Sequence, residues 1–327
     1  MTNPDERKLR RAYPSALARA LWALPVYLIF VPLTRVLQVL GIWPRLMARS
    51  TNRMFDEVEP FTPGPNDVLV CSYFKSGTNW TMQIAAQIAY RGAGDFDHIH
   101  DVVPWLELPD KMPFAVSIKN ERVQHAAPTD LRVIKTHMPA SKLHLTEQAK
   151  YIWVVRDPKD VFVSGYRFIH SVLLGPLMPS VDHWLDNFVS EESYWGSWAA
   201  HLDGGWRQRD QQNVLFLTYE DMRTDLPGTV RKIAELMAVD LTEAEFERVV
   251  ERSSYPYMKA HSRQFDTRGL SPPWTRPEGK MIRRGEQGSA SELLSDSDRQ
   301  RVDDFWRGQL AELGSNFPYD AHYGGDR

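Results

Sequence analysis

The sequence predicts an α/β fold, a three-layer sandwich in which helices cover both faces of a central parallel sheet, and two observations carry the prediction. Short apolar runs rich in β-branched or aromatic residues recur at 68–71, 132–134, 151–155 and 214–217, the pattern of strands buried on both faces. Helix-length segments separate them, as parallel pairing requires, because each strand must be returned to the same end of the sheet by a crossover.

Taken in order, the chain opens on a segment different in kind. Residues 16–43 (ALARALWALPVYLIFVPLTRVLQVLGIW) are strongly apolar, with Arg7, Lys8, Arg10 and Arg11 before them and Arg45 and Arg49 after. A membrane-spanning helix wants about 20 uninterrupted apolar residues, whereas Pro25 and Pro32 are expected to break this one and Arg35 sits inside it. No small-residue cleavage site follows, so a signal peptide does not fit. Residues 1–50 are therefore expected to be a broken, membrane-associated anchor whose basic flanks face anionic lipid, or a helix pair packed on the protein itself. The regular domain is expected over 60–327.

Pro63-Gly64-Pro65-Asn66-Asp67 is a turn that delivers the chain into the first strand. The segment 79–90 then reads as a helix, with Trp80, Ile84 and Ile88 on one face. Further helices are expected at 158–168, 227–238, 242–251 and 296–313. No internal repeat or low-complexity tract interrupts this order.

Composition limits the partners. The 327 residues are 43% hydrophobic and 25% charged, enough to bury one large core or two modest ones. A formal net charge of −3 gives no basic face of the kind nucleic-acid binders carry. The single cysteine, Cys71, excludes an intramolecular disulfide and fits a reducing, cytoplasm-facing compartment. Within a predicted strand it reads as a buried structural thiol.

The residues that follow the strands carry the chemistry. Lys75-Ser76-Gly77-Thr78 follows the first, Lys135-Thr136-His137 the second, Arg156-Asp157-Pro158-Lys159-Asp160 and then Ser164 the third, and Thr218-Tyr219-Glu220-Asp221 the fourth. In an open parallel sheet these ends face one crevice. Two lysines, an arginine and a histidine there call for a multiply anionic ligand. A strand feeding a helix through a small-residue turn also supplies backbone N–H groups at a helix N-terminus, a site for phosphate. It is not the nucleoside triphosphatase loop, because Lys75 precedes the only glycine, Gly77. Asp157 reads equally well as the cap of the helix it precedes. His98-Ile99-His100-Asp101 has a metal-like look, yet no further ligand cluster accompanies it, and no metal is expected.

These residues resemble the sulfotransferases that use 3′-phosphoadenosine-5′-phosphosulfate (PAPS). The segment Tyr73-Phe-Lys-Ser-Gly-Thr-Asn-Trp80 is similar to their P-loop-like 5′-phosphosulfate loop. Residues 151–168 (YIWVVRDPKDVFVSGYRF) resemble the 3′-phosphate segment, and Lys135-Thr-His-Met-Pro139 the strand that bears the catalytic histidine. The stretches 214–222 (VLFLTYEDM) and 282–286 (IRRGE) are similar to two later blocks. All five occur in order between about residues 60 and 290.

The resemblance implies that Lys75, Ser76, Gly77, Thr78 and Asn79 wrap the 5′-phosphosulfate. It implies further that Arg156, Ser164, Arg283, Arg284 and the Gly285 backbone hold the 3′-phosphate, and that Trp80, Tyr219, Ser253 and Tyr255 line the adenine pocket. His137 would be the general base, aided by Lys75 and Lys135, with no metal required. A neutral imidazole can take the proton of an attacking hydroxyl near pH 7, and the lysines can neutralise charge on the leaving phosphate and the sulfonyl oxygens. Each residue also has an ordinary role: Trp80 as core, Ser253 and Tyr255 as capping or packing groups, Arg283 and Arg284 as a solvated turn. The sequence departs from the family pattern at Phe74, where proline is usual, at Asn79, where threonine is usual, and after Gly285. There Gly288-Ser-Ala-Ser291 replaces the usual Gly-Asp-Trp-Lys. The expected activity is sulfonyl transfer to a hydroxyl of a small or lipid-like, hydrophobic acceptor, with residues 16–43 in contact with a membrane surface. A phosphoryl transferase would want Lys after Gly and a Mg²⁺-holding carboxylate, and a tethered nucleotide-binding module would keep the pocket without chemistry.

Overall fold

The computed structural model describes residues 16–109, 114–267, 271–275, 281–282 and 288–324. Four strands, β1 (Asp67–Ser72), β2 (Arg132–Thr136), β3 (Lys150–Val155) and β4 (Val214–Thr218), form one parallel sheet in the order β2-β1-β3-β4. Each predicted run lies within an observed strand. The register sets Cys71 beside Thr136 and Trp153, so the strands end nearly level and their following loops emerge on one side.

Because side chains alternate along a strand, each face of the sheet owns its own core. Leu69, Cys71, Ile134, Tyr151 and Trp153 point to one side, where Phe162, Trp198, Leu202 and Trp306 close the layer. Val68, Val70, Val133, Ile152 and Val154 point to the other, against Met82, Ile84, Ile88, Val230, Ile233 and Val249. The first set of helices is Pro158–Phe168, Trp198–Gln208 and Asp296–Glu312; the second is Thr78–Ala89, Leu226–Leu236 and Glu243–Ser253. This is the expected three-layer sandwich, and Cys71 is a buried free thiol within it.

The N-terminal segment departs from expectation. Helices α1 (Ala16–Pro25) and α2 (Val31–Val39) are joined by a π-helical turn, Val26–Phe30, so the helix runs through both prolines instead of breaking at them. The Val31 amide reaches back five residues to the Val26 carbonyl. That wider turn shifts the hydrogen-bond ladder where the prolines cannot donate. Gly41, at φ 67°, then turns the chain into α3 (Ile42–Asp56). This last helix passes residue 50 without interruption, and Phe55 joins the first core.

Candidate active site

The loop after β1 is tightly specified. Ser72 Oγ lies 2.6 Å from Thr78 Oγ1, tying the strand end to the first residue of α4 (Thr78–Ala89). Between them Lys75 takes φ 64° and Gly77 φ 103°. A non-glycine residue in the left-handed region is strained, and such strain gathers where backbone groups must be aimed. A Cβ on Gly77 would come within 2.8 Å of the Tyr219 ring, so only glycine permits this closeness. The Ser76 hydroxyl is fully buried and has no hydrogen-bond partner among the described residues. Asn79 is half-buried on the next helical position.

Tyr219, just past β4, is the hub of the other half. The Arg156 guanidinium stacks over its ring at 4.4 Å, and Trp80 meets it edge-on at 5.6 Å. The Trp80 indole N–H donates to the Ser253 carbonyl at 2.7 Å, while the Ser253 hydroxyl is buried with no hydrogen-bond partner among the described residues. Two orphaned hydroxyls, Ser76 and Ser253, thus flank one aromatic and cationic crevice. Such groups are costly to bury unless a ligand engages them. Tyr255 is half-buried and accepts from Lys259 at 3.0 Å.

Arg156 is aimed by a residue that the sequence reading missed. Its Nη2 donates to Asp160 at 3.0 Å, one turn along the helix Pro158–Phe168 that also carries Ser164. Asp160 in turn accepts from the Ser289 amide at 2.8 Å and the Ser289 hydroxyl at 2.9 Å. The departure at Gly288-Ser-Ala-Ser291 therefore has a fixed place, bolted to the arginine helix. Arg283, Arg284 and Gly285 lie outside the described residues. Asp157 caps this helix by accepting from the Lys159 amide at 2.8 Å.

His137 sits at the end of β2, buried, with its Nδ1 2.7 Å from the Ser72 carbonyl. A carbonyl can only accept, so Nδ1 carries the proton and Nε2 presents its lone pair. Burial, then the charges of Lys135 and Lys75, hold the imidazole well below its ordinary pKa, so it is neutral. Phe74, Trp105 and Trp195 surround it edge-on at 6.4, 5.6 and 5.9 Å. Phe74, at the position where proline is usual, therefore helps build the wall beside His137. Lys135 lies 3.2 Å from the centre of the Trp105 ring, and burial with the charge of Lys75 lowers its pKa to about 7. Lys75 is held 4.4 Å over the Phe168 ring.

Beneath this group lies Glu107, also missed. The residues around it join the edge of β2 as a single bridge, Trp105 beside Lys135. Glu107 accepts from the His137 amide and from the Thr136 hydroxyl, the latter at 2.9 Å. Burial raises its pKa against those hydrogen bonds and Lys135. The signal in sequence is faint, an acid embedded in the apolar stretch from Val102 to Leu108. The His98 and His100 rings are engaged by backbone, His98 Nε2 with the Asp266 carbonyl and His100 Nδ1 with the Val103 carbonyl, each at 2.8 Å.

Comparisons with known proteins follow the same lines. Residues 65–314 match the family model described as "Sulfotransferase domain". Sulfotransferase 1C2 of Rattus norvegicus is 27% identical over 295 residues, 87% of this chain and 95% of the relative. Sulfotransferase 1A1 of Mus musculus is 35% identical over 214 residues, 62% of this chain and 70% of the relative. Among solved structures, retinol dehydratase in complex with retinol and PAP superposes with a TM-score of 0.63 at 19% identity, covering 83% of this chain and 88% of that one. Mouse sulfotransferase SULT7A1 complexed with PAP gives 0.60 at 23%, covering 81% and 91%. At these identities the structural likeness speaks for the fold.

Proposed function

The chain belongs to the sulfotransferase family, and from that premise we propose that it transfers a sulfonyl group from PAPS to a hydroxyl of a hydrophobic organic acceptor, with His137 as general base. The observation that carries this reading is the tautomer of His137 fixed by the Ser72 carbonyl, which leaves Nε2 as the acceptor of a neutral imidazole ringed by Phe74, Trp105 and Trp195 and under the charge of two lysines.

In the reaction the acceptor hydroxyl gives its proton to His137 Nε2 as its oxygen bonds to sulfur, and the bond from sulfur to the 5′-phosphate oxygen breaks. Adenosine 3′,5′-bisphosphate leaves. Lys75 and Lys135 offset the charge on the departing phosphate and the sulfonyl oxygens. Their own positive charge depresses the imidazole, and a polyanionic donor between them reverses that effect, so the base gains strength when the donor is in place. Lys75, Ser76, Gly77, Thr78 and Asn79 hold the 5′ end. Arg156, Ser164, Arg283, Arg284 and Gly285 take the 3′-phosphate, and Trp80, Tyr219, Ser253 and Tyr255 receive the adenine. The buried orphan hydroxyls of Ser76 and Ser253 favour such a ligand. The enzyme works in a reducing compartment, peripheral to a membrane on its cytoplasmic side. Calorimetric titration with adenosine 3′,5′-bisphosphate, with and without Mg²⁺, and transfer of labelled sulfonyl from PAPS test the proposal. Metal-independent binding and transfer are expected, and binding that needs Mg²⁺, or binding without any transfer, would overturn it.

A further inference from the structure

The burial pattern of α1, the π turn and α2 is inverted. Among the described side chains of this segment only Val26, Thr34 and Gln38 are buried, at 0%, 5% and 4% exposure, while Leu21, Leu24, Leu28 and Val39 face outward at 66% to 78%. A helix on a soluble surface turns polar groups to water and leucines to the core. Here Gln38 is turned inward and bonded by Arg35 at 3.1 Å, and the span Ala20–Val39 is only 11% buried. The inward stripe runs over thirteen residues, from Val26 to Gln38, about 18 Å of helix rise. The helix therefore lies along the domain and cannot stand across a bilayer without drawing the polar domain in after it. Arg45, Arg49 and Arg53 recur at helical spacing on α3, all exposed, with no acid on that helix before Asp56. Arg45 and Arg53 hold exposed ion pairs with Glu192 at 3.4 Å and Glu57 at 2.6 Å, weak pairs that screen the arginines poorly from an anionic surface. An apolar face edged by arginines fits an anionic leaflet, not water.

The arm also sits on the acceptor side of the site. Trp22 meets Trp274 edge-on at 5.8 Å, and the π turn and α2 pack on Gly175–Leu177. That turn continues the helix bearing Phe168, whose ring meets Phe74 at 5.6 Å, and Phe74 faces His137. We infer that residues 17–40 are an arm embedded in one anionic leaflet, which sets the aromatic side of the His137 pocket on the bilayer. The acceptor class is then an amphiphilic alcohol dissolved in the membrane, a statement that rests on the sulfotransferase reading above.

The test uses the full chain and the variant Leu21→Glu/Leu24→Glu/Leu28→Glu, whose side chains touch solvent and not the site. In flotation, the unaltered protein should rise with phosphatidylcholine–phosphatidylglycerol vesicles and less with phosphatidylcholine alone. The variant should lose partitioning about a hundredfold at an unchanged melting temperature. With labelled PAPS, both should sulfate 2-naphthol in solution, and only the unaltered protein should sulfate cholesterol or hexadecanol carried in vesicles. Unaltered protein that stays at the bottom with both vesicle types overturns the arm, as does self-association abolished by the variant, which would assign the face to a second copy. Equal sulfation of vesicle-borne alcohol by both proteins overturns the route, and so does transfer to naphthol with none to either vesicle-borne alcohol. Failure of the unaltered protein to transfer to any of the three would fall on the catalytic reading and leave flotation to judge the arm.

Discussion

Lys135 makes binding of the donor product a proton-linked event. Its ammonium is buried against Trp105, and burial together with Lys75 brings its pKa to about 7. Phosphate oxygens arriving beside it favour the charged form, so the pKa rises in the complex toward the ordinary lysine value of about 10.4. The sign follows: a group whose pKa is raised by binding strengthens binding below its free value, and that gain is lost as pH climbs from 7 toward the bound value. Across that window affinity for adenosine 3′,5′-bisphosphate should fall by up to about tenfold per pH unit, or about 1.4 kcal/mol. Calorimetry at pH 8 in two buffers of different ionisation enthalpy should report uptake of nearly one proton per complex, to order of magnitude. The phosphates are already ionised there, and Lys135→Met should abolish the uptake and flatten the pH profile. Uptake that persists in Lys135→Met, or none in the unaltered protein, would refute the reasoning.

Three further outcomes follow from the same geometry. His137→Ala should lower turnover by about 10² to 10⁴ while leaving calorimetric affinity for adenosine 3′,5′-bisphosphate almost unchanged, and near-normal turnover would remove His137 from the chemistry. Arg156→Ala and Ser164→Ala should weaken adenosine 3′,5′-bisphosphate by about 1.5 to 3 kcal/mol more than adenosine 5′-monophosphate; equal losses measured for both ligands would mean that these residues only support the fold. Lys159 donates to Asp303 at 2.6 Å and to the Tyr323 carbonyl at 2.7 Å in a buried setting, so Lys159→Met should cost about 3 to 5 kcal/mol in urea unfolding. A loss well under that range would show that the cluster is looser than its geometry.

The strands were legible because a sheet buried on both faces leaves continuous apolar runs, and the crevice was legible because its cations directly follow those runs. The residues that aim the cations were not. Asp160 is one turn past Arg156 and looks like any first-turn acid, yet it also holds Ser289, 129 residues later. Glu107 reaches Thr136 and the His137 amide across 29 and 30 residues through a bridge one residue long, too short to leave a periodic pattern. The N-terminal prolines misled for a local reason, since a π turn removes the hydrogen bonds that a proline would have broken. The helices Val181–Phe188 and Trp198–Gln208 escaped notice because aromatic and glycine residues, poor helix formers in isolation, are held there by packing.

The Lys159 cluster has a consequence for the order in which the molecule can assemble. The helix that begins at Pro158 aims Arg156 through its first turn, but the ammonium in that turn, with only Asp157 at 3.5 Å as a partner nearby in sequence, must wait for its hydrogen bonds to a carboxylate 144 residues onward and a carbonyl 164 residues onward. Until those arrive, a lysine destined for the interior has Asp157 as its one local carboxylate partner and its remaining donors turned to water or an apolar layer, which works against closing the helix onto the sheet. A chain emerging from the ribosome can therefore pair all four strands, complete by Thr218, and still hold its arginine loosely. Joining such distant segments pays loop-closure entropy before any contact repays it. The slow step in maturation would then be docking of the segment from Asp303 to Tyr323, and nucleotide affinity would appear only after it, later than the sheet's own protection from hydrogen exchange.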